Sequence, residues 1–148
     1  MMLEYKRSLL FRKVQGKINM DSYFGKITNL TDVNCNDLTL LSLEESDLII
    51  NKIKHMSVVD ETILDMKNTN DLCAFITEEV CNTDFYLLID KDWKNCGICF
   101  MRSGVIFNGK YDFDKMVSDE IRVISTDFSF QIQSDYDSGD IFCNFMKY

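Results

Sequence analysis

Hydrophobic and polar positions follow three different rhythms along this chain. Residues 5–14 (YKRSLLFRKV) and 22–30 (SYFGKITNL) hold short apolar clusters without a sustained period. The second has the aromatic and β-branched content of a strand. From residue 42 the rhythm becomes helical. Ser42 and Glu45 stand at capping-box spacing, where a hydroxyl binds an amide three residues on and the carboxylate reaches back. Ile49, Ile53 and Met56 then recur at i, i+4, i+7 on one face. A second helix is expected over 58–67, with Ile63 and Met66. A third starts near Asn70, with Leu72, Phe75, Ile76 and Val80 on one side and Asp71 favouring the helix dipole at its start.

After Cys81 the period shortens to that of strands. The run Asp84–Asp90 (DFYLLID) is apolar between polar ends, and CGICFM and GVIF flank Arg102-Ser103-Gly104, a tight connection for two antiparallel strands. In DFSFQIQS, Phe128, Phe130 and Ile132 alternate with Ser129, Gln131 and Gln133. Asp135-Tyr-Asp-Ser-Gly-Asp140 has turn chemistry, and IFCNFMKY supplies a last strand. Helices in the centre followed by a run of short strands predict an α+β fold, its mainly antiparallel sheet formed largely by the C-terminal half.

Composition narrows the picture. With 148 residues, 46% hydrophobic and 27% charged, residues 1–148 are read as a single globular domain able to bury a core without metal or disulfide staples. There is no proline, where average usage would place about seven. Charge is split: residues 1–17 carry five basic side chains and one acidic, a net +4, while the rest carry 11 basic and 23 acidic, a net −12. That acidic body repels a phosphate backbone and attracts a basic partner, so no nucleic-acid partner is expected. Leu9-Leu10-Phe11 is cut off by Arg12-Lys13, too short for a signal peptide, and no apolar run reaches membrane-span length. The expectation is a cytoplasmic chain with no membrane partner and six reduced thiols.

Candidate chemistry centres on Cys96-Gly97-Ile98-Cys99, just after Trp93. A thioredoxin-like pair needs a helix start and a neighbouring cis-proline, and the strand-like run that follows and the lack of proline both oppose it. Zinc would have to draw further ligands from scattered Cys35, Cys73, Cys81, Cys143 and His55, with no second close pair. The pair is therefore read as packing residues, with no cofactor and no catalytic residue expected. The alternative from another class is a thiol or zinc enzyme using Cys96, Cys99 and His55. Three Asp-x-Asp pairs (Asp90/Asp92, Asp112/Asp114, Asp135/Asp137) fit turns better than metal loops; the last has glycine one position early for an EF-hand and no closing Glu.

These acidic turns have a binding reading. Asp92, Asp112, Asp114, Asp135, Asp137 and Asp140 fall near strand ends, interleaved with Trp93, Tyr111, Phe113 and Tyr136. Carboxylates beside exposed aromatic rings anchor Arg and Lys of a protein partner. The expected partner-binding set is Asp135, Tyr136, Asp137, Asp140, Asp112, Asp114, Asp92 and Trp93. In size, charge and composition the chain resembles the small acidic immunity proteins that bacteria pair with toxins. The resemblance is one of overall profile, without a diagnostic motif. It implies a cognate toxin, often a basic nuclease, held in a one-to-one complex. The AT-rich codon profile implied by Asn, Asp, Ile, Lys and Phe suits a phage or viral interaction protein equally.

Overall fold

The computed structural model describes residues 2–148 and is α+β. Its elements are α1 (Met2–Leu30), β1 (Thr39–Leu40), α2 (Leu43–Lys54), β2 (Asp60–Met66), α3 (Thr69–Glu79), β3 (Phe85–Ile89), α4 (Trp93–Cys96), β4 (Cys99–Met101), α5 (Phe113–Met116), β5 (Glu120–Ser125), β6 (Phe130–Asp137) and β7 (Asp140–Lys147). The strands form one seven-stranded sheet in the order β1-β4-β3-β5-β6-β7-β2. Every pairing in it is antiparallel. No described helix is long and apolar enough to cross a membrane.

Three layers result. The C-terminal half of α1 (Tyr23, Ile27, Leu30) and α3 (Leu72, Ile76, Val80) pack on one face of the sheet with Leu87, Ile89, Val123 and Ile132. On the other face, Ile50 and Ile53 of α2 meet Leu88, Ile98, Ile124 and Trp93. β3 is covered on both sides, which is why its sequence is a continuous apolar run rather than an alternation. Helix α2 starts on the expected capping box: Ser42 Oγ accepts from the Glu45 amide at 3.1 Å, and Glu45 Oε1 accepts from the Ser42 amide at 3.2 Å. α3 is capped by Asn68, whose Oδ1 accepts from the Asp71 amide at 2.9 Å.

Five expectations are corrected. The N-terminal third is a single 29-residue helix, not short ambiguous pieces and a strand. Leu9, Gly16, Tyr23, Ile27 and Leu30 share its buried face, but the opposite face is also rich in apolar residues, so the period is masked. The segment 58–67 holds the edge strand β2 rather than a helix, because β7 offers seven residues of continuous pairing. GVIF forms no strand of the sheet; β4 pairs with β1 and β3, and Phe107 makes only an isolated bridge to Thr31. Phe128 sits before β6 in a tight turn with φ +58°, so its ring packs among the α2-side residues and does not share the face of Phe130 and Ile132. The boundary between α4 and β4 also differs from the sequence reading, since Cys96 closes the short α4 and only Cys99 enters β4.

Candidate functional site

An antiparallel order brings the end of β3, the start of β5, the end of β6 and the start of β7 to the same end of the sheet. Each of these ends carries a carboxylate: Asp90, Glu120, Asp137 and Asp140. With α5 and the base of α1 they enclose an open cleft of about 700 Å3, lined by Lys26, Asp90, Lys91, Asp92, Phe113, Asp114, Val117, Ser118, Asp119, Tyr136, Asp137 and Ser138.

The floor is a built ion network. Asp90 follows β3 in the left-handed region, φ +53°, a conformation that Asp tolerates better than most residues. Its Oδ1 accepts from the Asp119 amide at 2.7 Å, the Glu120 amide at 2.9 Å and Ser118 Oγ at 3.1 Å. Its Oδ2 accepts from Lys26 Nζ at 2.7 Å, and the same amine reaches Asp92 Oδ2 at 2.9 Å. Burial pushes the Asp90 carboxyl up, but Lys26 and the two amides outweigh it and hold the group below the usual carboxylate range. Burial likewise opposes a charged Lys26, and its bonds to Asp90 and Asp92 overcome it and raise the amine. Lys26 projects from the buried stripe of α1, between Tyr23 and Ile27, so the packing of that helix places the cation.

The rim holds charge without such compensation. Asp114 accepts from the Tyr136 hydroxyl at 2.7 Å, and the Tyr136 ring stacks on Phe113 with centroids 4.8 Å apart and planes 5° from parallel. Asp112 caps α5 by accepting from the Lys115 amide at 3.1 Å. Val117 ends α5 with φ +51° and is 84% exposed, an uncommon state for a β-branched residue, at the lip of the cleft. Asp119 is raised by burial and by its contact with Asp90; Asp135 is raised by burial and by Asp119. Five aspartates therefore line a cleft that holds two lysines, and among the described residues Asp114, Asp119 and Asp137 have no cationic partner. Such an arrangement suits a guanidinium or ammonium group presented by another molecule.

The fold gathers half of the expected set. Asp92, Asp114, Tyr136 and Asp137 line the cleft. Asp112 stands beside it as a helix cap, and Asp140 faces Asp137 across the two-residue hairpin turn. Asp135 is exposed and pairs in register with Glu120 and Phe142, on the sheet face away from Tyr136. Trp93 does not belong to the set: it is 6% exposed and packs with Ile50, Ile53 and Leu88 in the α2-side core. Tyr111 and Phe113 are also buried, at 3% each, so Tyr136 is the accessible ring of the group. Lys26, Ser118 and Asp119 were not among the residues expected from sequence. The signal for Lys26 was a lone cation inside an apolar i, i+3, i+4, i+7 stripe (Tyr23, Lys26, Ile27, Leu30), legible once the segment is read as a helix.

A larger cleft, about 950 Å3, lies between α1, α2 and α4. Across it Arg12 forks onto Asp47 with two bonds of 2.8 Å and donates to the Lys94 carbonyl at 2.6 Å. With the Tyr5 hydroxyl, which donates to Asp47 at 2.8 Å, these bonds clamp α1 to α2 and α4.

The cysteine pair lies in packing. Cys96 Sγ is 3.7 Å from the Gly16 carbonyl, and Cys99 is fully buried in β4. Burial pushes the two thiols up to about 11 and about 12. Cys96 ends a four-residue helix instead of starting one, so no helix N-terminus favours its thiolate. His55 is exposed at the end of α2, its Nδ1 2.7 Å from the Asn51 carbonyl, and no described group of three Cys, His, Asp or Glu side chains is placed to share a metal. Replacing both Cys96 and Cys99 by Ser is expected to lower stability by about 1–3 kcal/mol for each hydroxyl buried in an apolar site, and to leave partner binding within a few-fold. Denaturant titration and a binding isotherm on the same preparation check both halves of that statement.

Comparison with known proteins returned no match: no family model matches the chain, and no curated protein or solved structure is significantly similar to it.

Proposed function

We propose that the chain is a non-catalytic binding protein that captures a basic protein at its acidic cleft, in the manner of an immunity protein neutralising a toxin. One observation carries this reading: Asp114, Asp119 and Asp137 line a single cleft and pair with no cation among the described residues, above a floor built by the Lys26–Asp90–Asp92 ion network. A pre-set floor lets a partner's Arg or Lys enter without reordering it, and uncompensated rim carboxylates steer a basic surface towards it. Tyr136, fixed by Phe113 and Asp114, offers a flat ring beside those carboxylates on which a guanidinium can stack. The partner is a basic toxin domain, most simply a nuclease whose phosphate-binding surface the aspartates cover.

Co-expression with the product of the adjacent reading frame tests the proposal. Protection of the host and a stable one-to-one complex are expected, with protection lost in the Asp114→Lys/Asp137→Lys variant. A toxic product that the chain neither binds nor restrains would overturn it.

A further inference from the structure

The outer face of α1 has no neighbour. Leu3, Leu10, Phe11, Val14 and Ile18 are between 56% and 70% exposed. At 3.6 residues per turn they fall in one sector about 100° wide, opposite the buried Leu9, Tyr23 and Ile27. Lys6, Lys13 and Lys17 run along one border of this sector and Arg7 stands inside it. All four are exposed and make no ion pair among the described residues. A helix that is apolar on two faces calls for two neighbours, and the fold supplies one.

The sheet has a complementary gap. On the α2 side, no residue of β2 or β7 joins the cluster formed by Ile50, Ile53, Leu88 and Ile124. Ile63 is 72% and Phe142 51% exposed, whereas Leu64, Ile141 and Cys143, one step along each strand, pack into the opposite face. Four carboxylates share the bare side: Glu61 and Asp65 flank Ile63 at two-residue spacing, Asp140 precedes Phe142 at the same spacing, and Asp135 stands opposite Phe142.

We infer that the outer face of α1 docks on the bare β2–β7 face of a second copy of the chain. The charges match, since four basic side chains meet four carboxylates around a shared apolar centre. The lengths match too: residues 3–18 of a helix extend about 22 Å, and the seven residues of β2 about 23 Å. Helix on sheet is how this fold already buries its other apolar faces. Pairing α1 with α1 would instead set a segment of net +4 against itself. An anionic membrane would have to accept a body of net −12. The contact does not use the acidic cleft, so it stands apart from the proposed toxin binding.

Sedimentation velocity of the full chain over a wide concentration range tests this. Self-association is expected, weakening about tenfold or more between about 50 mM and about 500 mM salt as screening shortens the reach of the charges. Leu10→Lys/Val14→Lys and, separately, Glu61→Lys/Asp65→Lys should each sediment as monomers with unchanged circular dichroism. Mixed together, the two variants should form a heterodimer, because each retains the surface that the other has lost. Three results would overturn the inference: a monomer at every concentration, association abolished by the α1 substitutions but indifferent to those in β2, or a monomer that floats with phosphatidylglycerol-containing vesicles through α1.

Discussion

Lys26→Met is expected to cost about 3–5 kcal/mol of folding stability, the range found when one partner of a buried ion pair is removed. The Lys26 side chain is only 8% exposed and its amine bridges Asp90 and Asp92, so its loss leaves two neighbouring carboxylates without their cation. A typical domain is stable by about 5–15 kcal/mol, which makes this a large fraction of the whole. The pH dependence should distinguish an ion-pair loss from a packing defect. In the wild type the Asp90 carboxyl is held below its ordinary value, so its contribution is full above that ordinary value and is lost as pH falls through the lowered one. Lys26 is raised, so its contribution is full below the ordinary lysine value and is lost as pH climbs through the raised one. The wild type should therefore be weakened by acid. In Lys26→Met, protonating a carboxylate relieves repulsion, and mild acidification should recover part of the lost stability. Urea titrations of both proteins at neutral and mildly acidic pH make the comparison.

Gly16→Val should cost about 3 kcal/mol, with the sign opposite to the usual rule for a helix interior. In an exposed helix, replacing Gly by a residue with a side chain gains up to about 1 kcal/mol. Here the Gly16 backbone lies directly on the Asn95 carbonyl of α4, and a Cβ at this position would overlap that oxygen and carbon. The obstacle is backbone, so it cannot rotate aside, and overpacking of this kind costs about 1–3 kcal/mol or more. The same contact seats Cys96 Sγ against Gly16 and Arg12 against Lys94. Prising α1 from α4 would also move Lys26, which sits three turns further along α1, away from Asp92. A lowered thermal midpoint together with weaker partner binding is the expected pair of effects. Gly25→Ala, where a Cβ meets nothing within 4 Å, serves as the control and should not destabilise.

How much of this was legible in the sequence depends on how many faces each element buries. α2 could be read from its Ser42/Glu45 cap and α3 from one-sided periodicity with Asp71 near its start, because each buries one stripe; the Asn68 cap of α3 came only with the structure. The β6–β7 hairpin was legible from Ser138-Gly139, both at positive φ. α1 was not, since Leu3, Leu10, Val14 and Ile18 on its outer face blur the stripe made by Leu9, Tyr23 and Ile27. β2 was not, since Ile63 and Met66 satisfy a helical spacing and only pairing with β7 decides the matter. At the site, the turn aspartates were legible because strand ends need turn chemistry. Which of them converge was not, because convergence follows from strand order. Trp93 misled for a related reason: a ring next to Asp92 reads as exposed until α2 is known to lie over it. Glu45 completes the capping box its spacing announces, whereas nothing in the sequence shows that Asp47, two residues on, holds Arg12. Controls for surface charge therefore belong at Asp37 and Glu78, which are exposed and make no side-chain hydrogen bond or ion pair among the described residues.

The most direct measurement is the association rate between the chain and the product of the adjacent reading frame, followed against salt. Wild type is compared with Asp114→Lys/Asp137→Lys and the control Asp37→Lys/Glu78→Lys, two variants that carry charge changes of the same size on the same fold. The account predicts a steep salt dependence for wild type and control, and for the cleft variant a flattened one with association slowed at least tenfold at low salt. Equal rates and equal slopes for the two charge-reversed variants would contradict it, because binding would then follow net charge and not the cleft.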